Sequence, residues 1–340
     1  MTMPDLPELA HPDPMELLKR MLLPILEVVP PDSQIVYLDY PVHENIGDLL
    51  IMKGTELFFR EHRIRVRKRL CIHQFRTRMR LPRQWIIVCH GGGNFGDLYP
   101  GNQRLREQAA RAYPHHRIVV LPQTVYFADA ARQERSLRRL GEHSDFHLFV
   151  RDRTSYETVR GKLANVYLSP DMAHQLYPIR QHRGASPGAG GGSGRTLGLF
   201  RTDGEAGPKA PGYTATDVDT DWPKLLTKAE FLALRLFVIG FRLDRHLYNL
   251  LPLRPLWYRM ADRWMTKALR LYSDCDEVVT SRLHGHLLAC LMNIPNRLLD
   301  NSYGKNMSYY REWTHLAARE GRHHAALDRN DAGDLYAESS

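Results

Sequence analysis

The segment Thr280-Ser281-Arg282-Leu283-His284-Gly285-His286, joined about twenty residues later by Lys305 in Asp300-Asn301-Ser302-Tyr303-Gly304-Lys305, sets a forked guanidinium, two imidazoles and an ammonium behind a short apolar run. An arginine fork grips a carboxylate or phosphate through two parallel hydrogen bonds. Histidine exchanges its proton near neutral pH. Together these groups suit the holding and protonation of a small polyanion, of which a phosphorylated carboxylate is the obvious kind. His286, two residues beyond His284, faces away from it on a helix and reads as structural.

Two more loops combine polar groups with glycine. In Pro41-Val42-His43-Glu44-Asn45-Ile46-Gly47-Asp48, an apolar run gives way to a loop and then to a helical stretch from Leu49, with Asn45 or Asp48 near its start. Helix starts carry unpaired amides that can hold an anion or a set of sugar hydroxyls. In Cys89-His90-Gly91-Gly92-Gly93-Asn94-Phe95-Gly96-Asp97, three successive glycines permit close approach to the backbone. This is neither the GxGxxG fingerprint nor a Walker loop, so a nicotinamide or ATP site lacks support. Asp48, Asp97 and Asp171 each follow a strand-like run, where a carboxylate can orient or deprotonate a hydroxyl or cap a helix. No motif demands a metal: His73, His115, His116, His323 and His324 lack carboxylate or cysteine partners at ligand spacing.

The elements that must position these loops are short apolar runs at Gln34 to Asp39, Trp85 to His90, Arg117 to Gln123, Phe146 to Arg151 and Val166 to Ser169. They do not alternate cleanly, as expected of strands buried on both faces of a parallel α/β sheet with helices between them. A second set begins at Thr196-Leu197-Gly198-Leu199-Phe200 and includes Glu277-Val278-Val279-Thr280. Between the sets, Gly184 to Gly194 reads as a flexible linker, and a further loop is expected from about Gly204 to Asp221. The 340 residues, 43% hydrophobic, can bury one large core or two cores of roughly 150 residues each, and the two sets of runs favour two. The expected fold is therefore α/β, two Rossmann-like domains.

Lys and Arg number 47 against 38 Asp and Glu, an excess of nine that favours anionic partners without naming one. Leu17, Leu18, Met21, Leu22, Ile25 and Leu26 predict an amphipathic opening helix despite Pro24. The stretch Phe231 to Phe241 is almost wholly apolar, and the following residues interleave Arg242, Arg245, Arg254 and Arg259 with leucines and aromatics up to Trp264. Such a pattern fits a helix lying in lipid headgroups, or a buried interdomain or dimer face. A basic cluster from Arg60 to Arg83 lacks the aromatic interleaving of a single-strand platform, so it reads as a solvated or membrane-facing patch, and no nucleic-acid partner is expected. Cys71, Cys89, Cys275 and Cys290 form no CxxC pair. With no basic-then-apolar leader and no apolar run of about 18 residues, a cytoplasmic location is expected, with at most peripheral contact to the inner face of the membrane.

Asn45-Ile46-Gly47-Asp48, His90 to Asp97, Leu121-Pro122-Gln123-Thr124, Val150-Arg151-Asp152-Arg153-Thr154-Ser155, Ser169-Pro170-Asp171-Met172-Ala173 and Ser281-Arg282-Leu283-His284-Gly285, in that order, resemble the polysaccharide pyruvyl transferase family, and within it the EpsO-like exopolysaccharide branch. The resemblance spans about residues 34–315. It implies a GT-B-like pair of domains facing a cleft, with phosphoenolpyruvate as co-substrate, no separate cofactor, and a saccharide as acceptor. That the acceptor is a lipid-linked oligosaccharide is an expectation from analogy with such pathways and from the basic apolar stretch after Phe231.

By that resemblance Arg151, Arg282, His284 and Lys305 bind the donor, with Arg151, Arg282 and His284 catalytic. Asn45, Asp48, Asn94 and Asp97 are placed on the acceptor side. The expected division is an extension and helix at 1–33, an acceptor-side domain at 34–183, a linker at 184–195, a donor-side domain at 196–325 and a polar tail at 326–340. A GT-B glycosyltransferase using a nucleotide sugar, or a noncatalytic basic binding protein, are the other readings that the sequence supports.

Overall fold

The computed structural model describes residues 13–179, 194–202, 216–300, 304–315, 317 and 324–327. The glycine-rich stretch 184–193 and most of the loop expected between Gly204 and Asp221 lie outside the described residues. The elements in chain order are α1 (Pro14–Arg20), α2 (Ile25–Val28), β1 (Gln34–Leu38), α3 (Ile46–Glu61), β2 (Arg65–Leu70), β3 (Ile86–Cys89), β4 (Gly92–Gly96) and α4 (Pro100–Ala112). They continue with β5 (Ile118–Tyr126), α5 (Ala130–Gly141), β6 (Phe146–Val150), α6 (Arg153–Val159) and β7 (Asn165–Leu168). Beyond the linker come β8 (Thr196–Leu199), β9 (Val218–Thr220), α7 (Lys228–Asp244), α8 (Leu253–Ser273), β10 (Glu277–Thr280), α9 (Leu283–Leu291), β11 (Asn296–Leu299), α10 (Lys305–Tyr309) and β12 (His324–Leu327).

Two parallel sheets result. The first runs β2-β1-β3-β5-β6-β7, with β4 also pairing with β5, and the second runs β12-β11-β10-β8-β9. Every strand pair is parallel, so the connections cross over the faces and the central strands β1, β3, β5 and β6 are buried on both sides. Burial alternates accordingly: Val36 and Leu38 pack toward α4 and α5, whereas Ile35 and Tyr37 join α1 and α3 in a core that continues through the second sheet to Trp257 and Leu287. This is a Rossmann-like mixed α/β arrangement.

Three expectations need adjustment. The opening helix is two short helices separated around Pro24, whose ring cannot continue an α-helical ladder. Part of the basic cluster is the strand β2, at the edge of its sheet, where alternating arginines blunt an otherwise open edge. Gly92–Gly96, read as loop, forms β4: Gly96 takes φ 131°, and a Cβ there would collide with the Tyr126 carbonyl. No described helix is long and apolar enough to cross a membrane.

Candidate active site

In an open parallel sheet, connections that leave neighbouring strands in opposite directions open a crevice at the strands' carboxyl ends. Strand order reverses between β1 and β3 in the first sheet and between β8 and β10 in the second. The residues that follow all four strands meet in one cleft of about 430 Å³. Asp39 to Asn45 and Asp48 come from behind β1, and His90, Gly93 and Asn94 from behind β3. Arg201 comes from behind β8, and Arg282 to His284 from behind β10.

At the centre, Arg151 donates Nη1 to the Asp171 carboxylate and Nε to Thr124 Oγ1 at 2.9 Å. Asp171 Oδ2 also lies 3.3 Å from His284 Nε2, and Arg151 Nη1 lies 3.4 Å from the same nitrogen. An ionised carboxylate only accepts hydrogen bonds and a guanidinium only donates them, so Nε2 meets Asp171 when it carries a proton and Arg151 when it does not. Burial would push Asp171 up, but His284, Arg151 and the Ala173 amide outweigh it and hold this carboxyl well below the usual range. Asp171 thus both caps the turn Met172–Leu176 and anchors the pair.

Chain elements from both sheets lock this group. The Asp171 amide donates to Tyr309 Oη at 3.0 Å, and Trp313 Nε1 donates to the Arg151 carbonyl at 2.8 Å. Arg151 and Asp171 are 1% and 0% exposed, so their geometry is fixed by packing, while His284 at 9% borders the cleft.

Arg282 occupies the N-cap position of α9. Its Nε and Nη2 grip both oxygens of Asp221, the latter at 2.7 Å. Asp221 is itself held by the amide and hydroxyl of Thr202 at 3.1 and 2.8 Å and by the Trp222 amide at 2.7 Å. Arg282 is thus a buried fork with a dedicated counter-ion, an arrangement that sequence spacing could not foretell because the partner lies 61 residues away.

On the opposite wall, Asn45 caps α3 through the Gly47 amide at 3.1 Å and donates Nδ2 to Asp48 Oδ2 at 3.0 Å. His43 Nε2 stands 3.4 Å from the same oxygen. Burial opposes ionisation of Asp48, but His43, His284, His90 and Arg151 together lower its pKa.

Beside it, Asp39 takes φ 64° and accepts from Asn102 Nδ2 at 2.8 Å and Arg106 Nη2 at 3.4 Å. Burial raises its pKa against the pull of Arg106 and Asn102. Arg106 also reaches the Asn94 side chain, so Asn94 is fixed at the cleft edge. His90 meets the Tyr37 hydroxyl through Nδ1 at 2.5 Å, its pKa pushed down to about 4 by burial, while its Nε2 has no hydrogen-bond partner among the described residues.

Of the sequence candidates, Arg151, Arg282, His284, Asn45, Asp48 and Asn94 gather around this cleft. Asp97 does not: its carboxylate accepts from the Ala128 and Asp129 amides at 2.8 and 3.0 Å and holds the loop before α5. It follows β4, which runs along the last residues of β5 from Gln123 to Tyr126, and it is not among the residues that line the cleft. Lys305 begins α10, and its side chain lies outside the described residues. His286 points into the core, with Nδ1 2.5 Å from Asn296 Oδ1 and Nε2 2.9 Å from Thr314 Oγ1. Sequence reasoning missed Asp39, His43, Asn102, Arg106 and Asp221. Asp39 closes the first apolar run and His43 lies in the loop just beyond it, a position that could have flagged both.

A family model described as polysaccharide pyruvyl transferase matches residues 45–303. The chain is 39% identical over 298 residues to the putative pyruvyl transferase EpsO of Bacillus subtilis, covering 87% of this chain and 90% of that protein. It is 32% identical over 246 residues to pyruvyl transferase 1 of Schizosaccharomyces pombe, covering 71% of this chain and 58% of that protein. The chain belongs to the polysaccharide pyruvyl transferase family. A solved structure of an uncharacterised Klebsiella pneumoniae protein shares the fold, with TM-score 0.58 at 19% identity over 92% of this chain and 98% of that one.

Proposed function

We propose that the protein transfers the enolpyruvyl group of phosphoenolpyruvate to two hydroxyls of one sugar in a lipid-linked exopolysaccharide precursor, forming a pyruvate ketal and releasing phosphate. In this reading the two sheets act as GT-B-like lobes, the first holding acceptor and the second holding donor. The enzyme works in the cytoplasm at the inner face of the membrane. The observation that carries the proposal is the Arg151–Asp171–His284 group, which joins an imidazole to a carboxylate and a fixed cation at the cleft where Arg282 presents a second one.

Ketal formation needs a proton on the methylene carbon, stabilisation of the resulting cationic C2, attack at C2 by two hydroxyls and departure of phosphate. His284 gives the proton to the methylene carbon and turns it into the methyl group. Arg282 and Arg151 hold the carboxylate and phosphate, with Lys305 as a further point charge on phosphate. The first hydroxyl forms a C–O bond at C2, phosphate leaves with the C2–O bond pair, and the second hydroxyl closes the ring. One of the two hydroxyl protons restores His284 and the other departs with phosphate. Asp48, ionised across the neutral range, accepts from the attacking hydroxyl, with Asn45 and Asn94 as neighbouring polar contacts.

Isothermal calorimetry with phosphoenolpyruvate, pyruvate, phosphate and UDP-glucose, beside an Arg282→Ala variant, tests the donor. Selective binding of phosphoenolpyruvate that the variant loses is expected. Binding of UDP-glucose with no response to phosphoenolpyruvate would overturn the proposal in favour of a nucleotide-sugar enzyme.

A further inference from the structure

Of the fourteen large hydrophobic side chains left exposed among the described residues, nine fall between Leu232 and Leu256. On α7, Leu232, Leu236, Ile239 and Leu243 are 58%, 60%, 51% and 59% exposed. Their spacing of four, three and four residues makes one stripe, directly opposite the buried Leu234 and Phe241. The stripe continues into the turn before α8 with Leu247, Tyr248 and Leu250, the last 79% exposed.

The charge around this stripe has one sign. Arg235, Arg242, Arg245, Arg254 and Arg259 are exposed, and the only acidic residue from 231 to 261 is the buried Asp244. We propose that this face is a docking surface for an anionic lipid bilayer, with the leucine stripe entering the acyl boundary and the arginines meeting phosphate headgroups. A second copy of the chain fits less well, because a two-fold pairing would set arginines against arginines with no exposed acid between them.

The turn is built to keep its apolar tip out. Asp244 accepts from the Leu251 amide with Oδ1 at 2.8 Å and from Gln74 Nε2 with Oδ2 at 2.8 Å, while its carbonyl accepts from the Asn249 amide at 2.9 Å. Tyr248 and Asn249 take φ 58° and 62°, and the Arg76 guanidinium lies 4.4 Å over the Tyr248 ring. Gln74 in turn accepts from the Cys71 amide, and the intervening Ile72 and His73 line the cleft. The foot of α7 therefore stands on the cleft wall, so a bilayer beneath the stripe lies beside the cleft mouth. That this serves a lipid-linked acceptor rests on the proposed function; the lipid contact itself does not.

The test is co-sedimentation of the full chain with vesicles of phosphatidylcholine alone and of equal parts phosphatidylcholine and phosphatidylglycerol. The wild type is expected to pellet with the anionic vesicles, and the exposed double substitution Leu236→Asp/Leu243→Asp to reduce its partitioning at least about tenfold. Calorimetric binding of phosphoenolpyruvate should be the same in both, which separates loss of this surface from failure of the pyruvyl-transfer reading. Wild-type protein that stays in the supernatant, or a variant that pellets like wild type, overturns the proposal. So does light scattering that finds a wild-type dimer converted to monomer by the same substitutions, because a second copy then covers the face.

Discussion

Gly47, in the first turn of α3, lies directly against the His284 ring: a Cβ at position 47 would stand 2.8 Å from Nδ1 and 2.9 Å from Cβ and Cγ. The glycine of the Asn45-Ile46-Gly47-Asp48 loop is thus a space requirement of a histidine more than two hundred residues away. In a helix, alanine is otherwise favoured over glycine by about 1 kcal/mol, so the exchange penalises the contact rather than the backbone. Gly47→Ala is expected to lower kcat about a hundredfold by displacing His284 on the order of 1 Å, with the far-ultraviolet circular dichroism unchanged. Phosphate release measured at saturating phosphoenolpyruvate checks this; wild-type turnover would show that His284 needs no such seat.

The Arg151–Asp171 pair is buried on all sides, so removing one partner strands the other's charge. Asp171→Asn is expected to cost about 3–5 kcal/mol of stability, read from the urea midpoint at constant m value. The double substitution Arg151→Met/Asp171→Leu removes both charges and should recover much of that loss while leaving no activity. If activity returned with stability, the pair would be scaffolding alone.

The strands that read as continuous apolar runs were legible because both faces of a parallel strand are buried, and Glu277–Thr280 was found to the residue. β2 was not, because Arg65 and Arg67 face solvent at a sheet edge while Arg69 turns to Glu56, and together their composition resembles a charged patch. At the site, the motif-bearing residues Arg151, Arg282 and His284 were visible, whereas the groups that fix them were not. Asp221 meets Arg282 only because β9 and β10 flank β8 in the folded sheet, and no local pattern encodes that adjacency. Asp97 misled because a carboxylate after a glycine loop looks alike whether its strand ends at the reversal point or beside it.

Asp221 orients the Arg282 fork, so under the proposed function its charge matters to donor binding even though it need not touch the donor. Asp221→Asn keeps the shape but weakens charge-assisted bonds of about 1.5–3 kcal/mol, and KM for phosphoenolpyruvate is expected to rise about tenfold or more with a smaller change in kcat. Arg282→Lys should be worse, since an ammonium cannot span both Asp221 oxygens. Steady-state kinetics with phosphoenolpyruvate as the varied substrate decide it, and a KM within twofold of wild type in Asp221→Asn would remove Asp221 from the donor site.

His90, His174 and His286 are each held down to about 4 by burial. In the unfolded chain each titrates near 6.5, so between these values the unfolded state binds more protons than the native one. Stability contributed by the neutral imidazoles is therefore complete above about pH 6.5 and is lost as pH falls toward 4, with a limiting slope of about 4 kcal/mol per pH unit for three such groups. The depressed carboxyl of Asp171 adds its own loss only below the ordinary carboxylate value, and the raised carboxyl of Asp39 partly offsets the histidines near the acid end of the window. Urea midpoints measured across that window should fall steeply, and His286→Gln should flatten the curve by about a third, since one of three titrating groups is gone. A midpoint that stays level down to the carboxylate range would mean that these histidines gain their protons without opening the fold.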